Sequence, residues 1–295
     1  MANLSMTERP AGEPPTGATP LLDVRGVSKR FTSGHGGRAH SLLALDDVSL
    51  RVARGEFVAL VGPSGCGKST LLSIIAGLDD PTSGEIRLRG DARARRLGQV
   101  GYMPQRDLLL PWRDALGNAI AGLRVQGVAR AEAEARARAL FADFGLSGFE
   151  RAYPPALSGG MRQRVAFART ALVTRDLMLL DEPFGALDAL TRAALQRWLG
   201  AALERLGATC LLVTHDVEEA LTLADRIYVL SPRPGRVRLE RRVPAPRPRS
   251  QADLAQPAML ALKHELLDAL LDALPNDGGL AGPAEPAAPW EGGAR

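Results

Sequence analysis

Residues Gly62-Pro63-Ser64-Gly65-Cys66-Gly67-Lys68-Ser69-Thr70 fit the pattern G-x-x-x-x-G-K-[ST] in full. The apolar run Phe57-Val58-Ala59-Leu60-Val61 precedes them and is short enough for a buried strand. Leu71, Leu72, Ile74, Ile75 and Leu78 follow at helical spacing. A strand, a glycine-rich loop and a helix, in that order, form a phosphate cradle. Gly62, Gly65 and Gly67 allow the backbone to turn successive N–H groups inward, and the helix start adds free N–H groups and a positive dipole end. Lys68 can reach β and γ phosphates, and the Ser69 hydroxyl can ligate Mg²⁺. Pro63, Ser64, Cys66 and Thr70 belong to the same binding loop.

A second apolar run, Leu177-Met178-Leu179-Leu180, ends in Asp181-Glu182. At the carboxyl end of a strand, Asp181 can hold Mg²⁺, directly or through water. Glu182 is then placed to orient and deprotonate an attacking water. Between these two motifs lies Leu157-Ser158-Gly159-Gly160-Met161, ahead of a helix through Arg164, Val165 and Ala168 to about Leu172. Ser158 is an N-cap residue type, and the helix start is ready for an anion. His215 follows the apolar strand Cys210–Val213, so its side chain emerges at the carboxyl edge, where α/β sheets bind ligands.

The chain has 295 residues, 45% of them apolar, enough for a sizeable core in one or two domains. No apolar stretch is long enough to cross a bilayer. The start, Met1 to Pro20, lacks the basic and apolar regions of a secretory signal and reads as a disordered leader. The net charge is +4, and its arginines are scattered along the chain. Aromatic residues are only 4%, so a nucleic-acid footprint is disfavoured. Cys66 in the loop and Cys210 on a strand suit no structural disulfide, which makes a cytosolic compartment the default. Cys66 is either a reactive thiol at a helix N-terminus or simply a small residue that fits.

Along the chain, residues 21–61 read as strands, with Val48, Leu50 and Val52 alternating and a loop at Ser33-Gly34-His35-Gly36-Gly37. Residues 84–103 read as short strands with turns at Gly84 and Gly90, and Arg93, Arg95 and Arg96 as a solvated hairpin. Helical spacing over 114–149 predicts an inserted helical subdomain with Leu140, Phe141 and Phe144 as its apolar patch. A helix near Leu190–Leu206 carries Leu195, Leu199, Ala202 and Leu206 on one face and stops at Gly207. Strands are predicted at Cys210–Val213 and Ile227–Leu230. Order is expected to decline from Pro232, save for an amphipathic helix from about Met259 to Leu274, ended by Pro275.

Over about residues 21–240 these motifs resemble the ATP-binding-cassette ATPases. The resemblance implies an α/β fold: a P-loop ATPase with a RecA-like core, an antiparallel β subdomain and an inserted α-helical subdomain. The implied division is a leader over 1–20, an ATPase domain over 21–248 with its helical subdomain at about 106–170, a helix over 249–275 and a disordered tail over 276–295. Leu157-Ser158-Gly159-Gly160 looks like the family signature, with Met161 where glutamine is commonest. Gln105, after Gly101-Tyr102-Met103-Pro104, looks like the glutamine that senses Mg²⁺ and the attacking water. Ala186-Leu187-Asp188 is similar to the D-loop, and His215 looks like the switch histidine that contacts the γ-phosphate. Phe31 sits where the family places an aromatic that stacks on adenine.

The resemblance further implies a dimer, homodimeric or paired, in which the phosphate loop of one chain faces Ser158–Gly160 of another with ATP between them. A chain of this kind borrows its pore from integral-membrane permease subunits at the cytoplasmic face of the inner membrane, served by an extracytoplasmic solute-binding protein. Residues 103–120, with Leu110-Pro111-Trp112, resemble the nitrate, sulfonate, taurine and thiamine-precursor importer branch. Trp112 is either a permease-docking residue or an aromatic that fills a gap in the helical subdomain. Two other classes remain open: a soluble cassette ATPase acting on nucleic acid or the ribosome, and the ATPase of an exporter.

Overall fold

The structure, a computed structural model, describes residues 19–33, 40–174, 176–185 and 187–272. The N-terminal leader, most of the loop at 33–37, Ala186, and the expected helix end at Leu274-Pro275 with the tail after it lie outside the described residues.

In chain order the elements are β1 (Leu22–Ser33), β2 (His40–Val52), β3 (Phe57–Val61), α1 (Lys68–Ala76), β4 (Ser83–Leu88) and β5 (Gly101–Met103). Then come α2 (Ala115–Ala119), α3 (Ala121–Val125), α4 (Arg130–Asp143), α5 (Gly159–Val173), β6 (Met178–Asp181), α6 (Ala189–Leu206) and β7 (Cys210–Thr214). The chain continues through α7 (Val217–Leu223), β8 (Arg226–Leu230), β9 (Val237–Arg242), α8 (Gln251–Leu254) and α9 (Pro257–Leu271).

A strand buried on both faces must be apolar at every position, whereas a half-exposed strand alternates. Both patterns appear. β3, β6 and β7 are buried at every residue and lie in a sheet ordered β5-β6-β7-β3-β8-β9. All its pairings are parallel except that of β9. On β3, Phe57, Ala59 and Val61 face the helices α5, α6, α7 and α9, while Val58 and Leu60 face α1. The alternating segments form a second, antiparallel sheet, β2-β1-β4. Its inward residues Val48, Leu50 and Val52 pack with the α1 residues Leu71, Leu72, Ile74 and Ile75 into the same core. The helix that follows the phosphate loop is thus clamped between the two sheets.

Helices α2 to α4 are inserted between β5 and α5. Leu140, Phe141 and Phe144 are buried as expected. Phe144 meets Trp198 of α6 edge-on at 4.9 Å and lies 5.6 Å from Phe167 of α5, which joins the insertion to the main body. Helix α6 ends at Gly207 (φ 58°), as its sequence indicates.

Three expectations need correction. Leu78 does not continue the apolar stripe of α1, for it is 58% exposed. Gly77 (φ 75°) ends the helix, its N–H bonding Ile74 O at 3.1 Å and that of Leu78 bonding Ser73 O at 2.9 Å. This double closure is a Schellman motif, and only glycine enters its left-handed conformation without cost. Arg96 is not solvated: its Nε donates to Ile74 O at 3.2 Å, occupying a carbonyl at the end of α1. Finally, order persists beyond Pro232. β9 adds an antiparallel edge strand to β8, and α9 lays Met259, Leu262 and Leu266 on the core. Arg249, itself buried, donates to Leu221 O, Ala224 O and Ala245 O and so sews this segment to α7. Burial pulls its guanidinium down to about 10. Helix α9 starts at Pro257, two residues before the expected Met259.

Candidate active site

Strand order places the candidate residues. β3, β6 and β7 are neighbours, so the segments leaving their carboxyl ends emerge side by side. Lys68 follows β3, Glu182 follows β6, His215 follows β7, and Gln105 follows β5 at the end of the same row.

Two of the three loop glycines adopt the left-handed conformation. Gly67 caps α1 at φ 104°, and a Cβ there would lie 2.6 Å from Leu45 Cδ2, so both conformation and space demand glycine. Gly65 also has a positive φ, of 76°, whereas Gly62 does not; a Cβ on Gly62 would meet Cys66 Sγ at 2.8 Å, so space sets that glycine. The Lys68 ammonium is buried and donates to Gly62 O at 2.7 Å and Pro63 O at 2.9 Å. Cys66 is buried beneath the loop, and burial pushes its thiol up, so the small-residue reading of Cys66 stands over the reactive one.

Glu182 is the hub. Gln105 Nε2 donates to its Oε2 at 3.1 Å, His215 Nδ1 lies 3.3 Å from the same oxygen, and Lys68 Nζ stands 3.9 Å from Oε1. Its backbone has φ 43°, a left-handed conformation that costs a glutamate of order 1 kcal/mol. The Glu182 N–H bond to Val213 O, 2.9 Å, helps to hold it there. Next to it, Ser69 Oγ donates to Asp181 Oδ1 at 3.1 Å. Asp181 is buried, and burial pushes its carboxyl above the usual range, with Ser69 opposing the rise and Glu182 adding to it. A buried carboxylate beside a hydroxyl, with a glutamine amide at the adjacent Glu182, is an all-oxygen donor set short of a cation. That chemistry fits Mg²⁺.

A cleft of about 370 Å³ opens above the loop, lined by Ser64, Gly65, Gly67, Lys68, Ser69 and Thr70 and bounded by Gln105 and Glu182. Its other wall is apolar: Phe31, 41% exposed, with Leu42 and Ala44. An aromatic face beside a phosphate cradle can take a nucleotide base.

Ser158, Gly159, Gly160 and Asp188 do not line this cleft. They form a second cluster. Ser158 Oγ accepts from Met161 N at 3.2 Å to cap α5, and Asp188 Oδ1 accepts from Thr191 N at 3.0 Å to cap α6. A Cβ on Gly159 would lie 3.2 Å from Leu187 Cδ2 and one on Gly160 3.4 Å from Thr191 Cγ2, so the two helix starts are in contact.

Four cleft or near-cleft residues escape a motif reading. Leu42, Ala44 and Arg233 line the cleft, and the Tyr102 phenol stands beside Asp181. A fifth is Glu219, buried behind His215. Thr214 Oγ1 donates to its Oε2 at 2.6 Å, and its Oε1 has no partner among the described residues. Burial pushes this carboxyl up to about 8. A carboxylate three residues into a helix is a common sequence feature, and only its burial marks it.

The parallel sheet with a phosphate loop on its central strand, two carboxylates on the next but one and a histidine on the strand between them defines a P-loop ATPase. The comparisons give the particular family. A family model described as ABC transporter matches residues 45–185. The chain is 48% identical over 252 residues to the aliphatic sulfonates import ATP-binding protein SsuB 1 of Rhodococcus jostii (strain RHA1), covering 85% of this chain and 94% of that protein. It is 46% identical over 200 residues to the taurine import ATP-binding protein TauB of Burkholderia pseudomallei (strain 1710b), covering 68% and 77%. The solved dimeric post-hydrolysis structure of the ATP-binding cassette MJ0796, bound to ADP and Pi, superposes with a TM-score of 0.64 at 32% identity, covering 76% of this chain and all of that one. The chain belongs to the ABC transporter family, and is an ATPase that converts ATP and water to ADP and phosphate in the service of membrane transport. Among the described residues no helix is long and apolar enough to cross a membrane.

Proposed function

We propose that the chain is the ATP-hydrolysing subunit of an importer for a small nitrogen- or sulfur-containing solute of the sulfonate, taurine or nitrate type. The observation that carries the catalytic part is the convergence of Lys68, Gln105 and His215 on the Glu182 carboxylate. Glu182 acts as general base toward the attacking water, Gln105 and His215 hold its carboxylate in place, and Lys68 and the loop N–H groups bind the phosphates. Ser69, Asp181 and Gln105 would hold Mg²⁺, which when bound neutralises phosphate charge. Phe31 offers its ring to the adenine.

The separation of Ser158–Gly160 and Asp188 from the cleft supports a dimer, since on one chain these helix starts face no nucleotide. A partner chain's cleft supplies it, so ATP glues two copies together and hydrolysis weakens the contact. The division into an ATPase core over 21–248, helical subdomain at about 106–170 and a C-terminal helix follows the same reading. Import rests on the import functions of the sulfonate and taurine relatives and on Trp112, 72% exposed, with Leu108 at 57% and Tyr153 at 53%. Backbone bonds from Ala115 to Ala152 O and from Leu116 to Glu150 O, 2.8 and 3.0 Å, bring these segments together. Exposed apolar side chains on neighbouring segments suit docking on a permease at the cytoplasmic face of the membrane, with a solute-binding protein outside. Nucleic acid has no place in this reading.

Glu182→Gln tests the mechanism. The variant should bind ATP, turn over about 10²–10⁴-fold more slowly and accumulate as an ATP-bound dimer in size exclusion. Turnover at the wild-type rate would remove Glu182 as the base. Purification from native membranes in mild detergent tests the transport role: a co-purifying permease is expected, and recovery only with ribosomes or DNA would overturn it.

A further inference from the structure

The turn between β8 and β9 carries two arginines with different fates. Arg236 pairs with the Asp46 carboxylate, and its N–H bonds Ser231 Oγ at 3.0 Å. Arg233 has no acid partner among the described residues. Its one hydrogen bond there runs from Nε to Gly65 O, 3.1 Å, in the phosphate loop. The turn itself is part of the cleft wall. Gly235 N donates to Ala44 O at 2.9 Å, Gly235 O accepts from Asp46 N at 3.0 Å, and a Cβ on Gly235 would lie 2.2 Å from Cys66 O. Ser231 Oγ bonds Pro234 O at 3.0 Å. An exposed guanidinium is therefore held over the nucleotide cleft on a backbone pinned to both of its walls.

Charge gives this placement a purpose. The other ionisable groups lining the cleft are Lys68 and Glu182, which offset each other, and Lys68 already spends two protons on loop carbonyls. Apart from the Mg²⁺ that Ser69, Asp181 and Gln105 would hold, these two side chains bring the phosphate chain no net positive charge. An arginine fixed through Nε still has its two terminal nitrogens, the arrangement that binds phosphate oxygens in pairs. We propose that Arg233 is a second cationic contact for the phosphate chain of the nucleotide, supplied from the β8–β9 turn. The proposal rests on the reading of this cleft as the ATP site.

The test uses the full chain and a fluorescent ATP analogue. Arg233→Ala should raise its Kd about tenfold, and raise KM for ATP by a similar factor, as loss of a charge-assisted hydrogen bond does. Arg233→Lys should recover part of that loss. Displacement of the analogue separates phosphate contact from a merely structural role. Inorganic tripolyphosphate should compete about tenfold less well on Arg233→Ala than on wild type, while adenosine competes equally on both. Unchanged analogue binding by Arg233→Ala, or equal losses for adenosine and tripolyphosphate, would overturn the proposal while leaving the ATP site intact. Failure of the wild-type chain itself to bind the analogue would overturn the ATP reading and this proposal with it.

Discussion

Replacing Glu219 by glutamine should change how stability depends on pH. Glu219 is 5% exposed, and the groups around it are Thr214, His215, Asp216, Glu182 and Arg192. Burial, aided by Asp216 and Glu182 and opposed by Thr214 and Arg192, raises its carboxyl from an ordinary 4.5 to about 8. Between those values the folded chain keeps a proton that the unfolded chain has released. Stability therefore falls as pH rises through this window, by roughly 1.4 kcal/mol per pH unit, and levels off above about 8. Integrated over the window the loss is on the order of 3–5 kcal/mol. Glutamine keeps the shape and can accept the Thr214 hydroxyl, but it does not titrate. Thermal unfolding of both proteins at about pH 5.5, 7 and 8.5 reads the difference. The Tm of Glu219→Gln relative to wild type should rise by roughly 7–14 °C across that range. A gap that does not vary with pH would mean that Glu219 is ionised in the fold, held by Arg192, and the argument from burial would fail. The neutral state also matters to the site, since it spares Glu182 a second negative charge nearby.

Trp112→Ala should weaken association with the permease while leaving ATP binding as in wild type; a pull-down with solubilised permease, showing equal capture of both proteins, would remove the docking role. Gly77→Ala should cost about 1–2 kcal/mol in urea unfolding, because alanine is strained at φ 75° and its Cβ would come 2.8 Å from Leu97 N. An unchanged midpoint would show that the end of α1 relaxes freely.

Much of the site can be read without coordinates because its parts are local. The loop at 62–70, the strand ending in Asp181-Glu182 and the capped start of α5 are each patterns within ten contiguous residues, and backbone geometry dictates what such patterns do. The same holds for the stop of α6 at Gly207. What the patterns miss comes from distant partners. Arg96 looks like one of three solvated arginines until it meets Ile74 O, and Leu78 continues a periodicity that Gly77 has already broken. β9 alternates only weakly, since most of its residues are exposed, so nothing in Val237–Arg242 marks it before β8 is there to pair with.

The sequence by itself determined that a glycine-rich loop of the phosphate-binding pattern lies between a buried strand and a helix, and that two carboxylates end another strand. It determined the chemistry available. Only the tertiary structure decided which of these groups meet: the strand order β5-β6-β7-β3 sets Gln105, Glu182, His215 and Lys68 along one edge, although Lys68 and His215 stand far apart in the chain. It also hung Arg233 over Gly65, 168 residues away. Side-chain periodicity is a property of neighbouring residues, whereas a contact across such distances exists only once both sheets have packed around α1 and closed the loops between them.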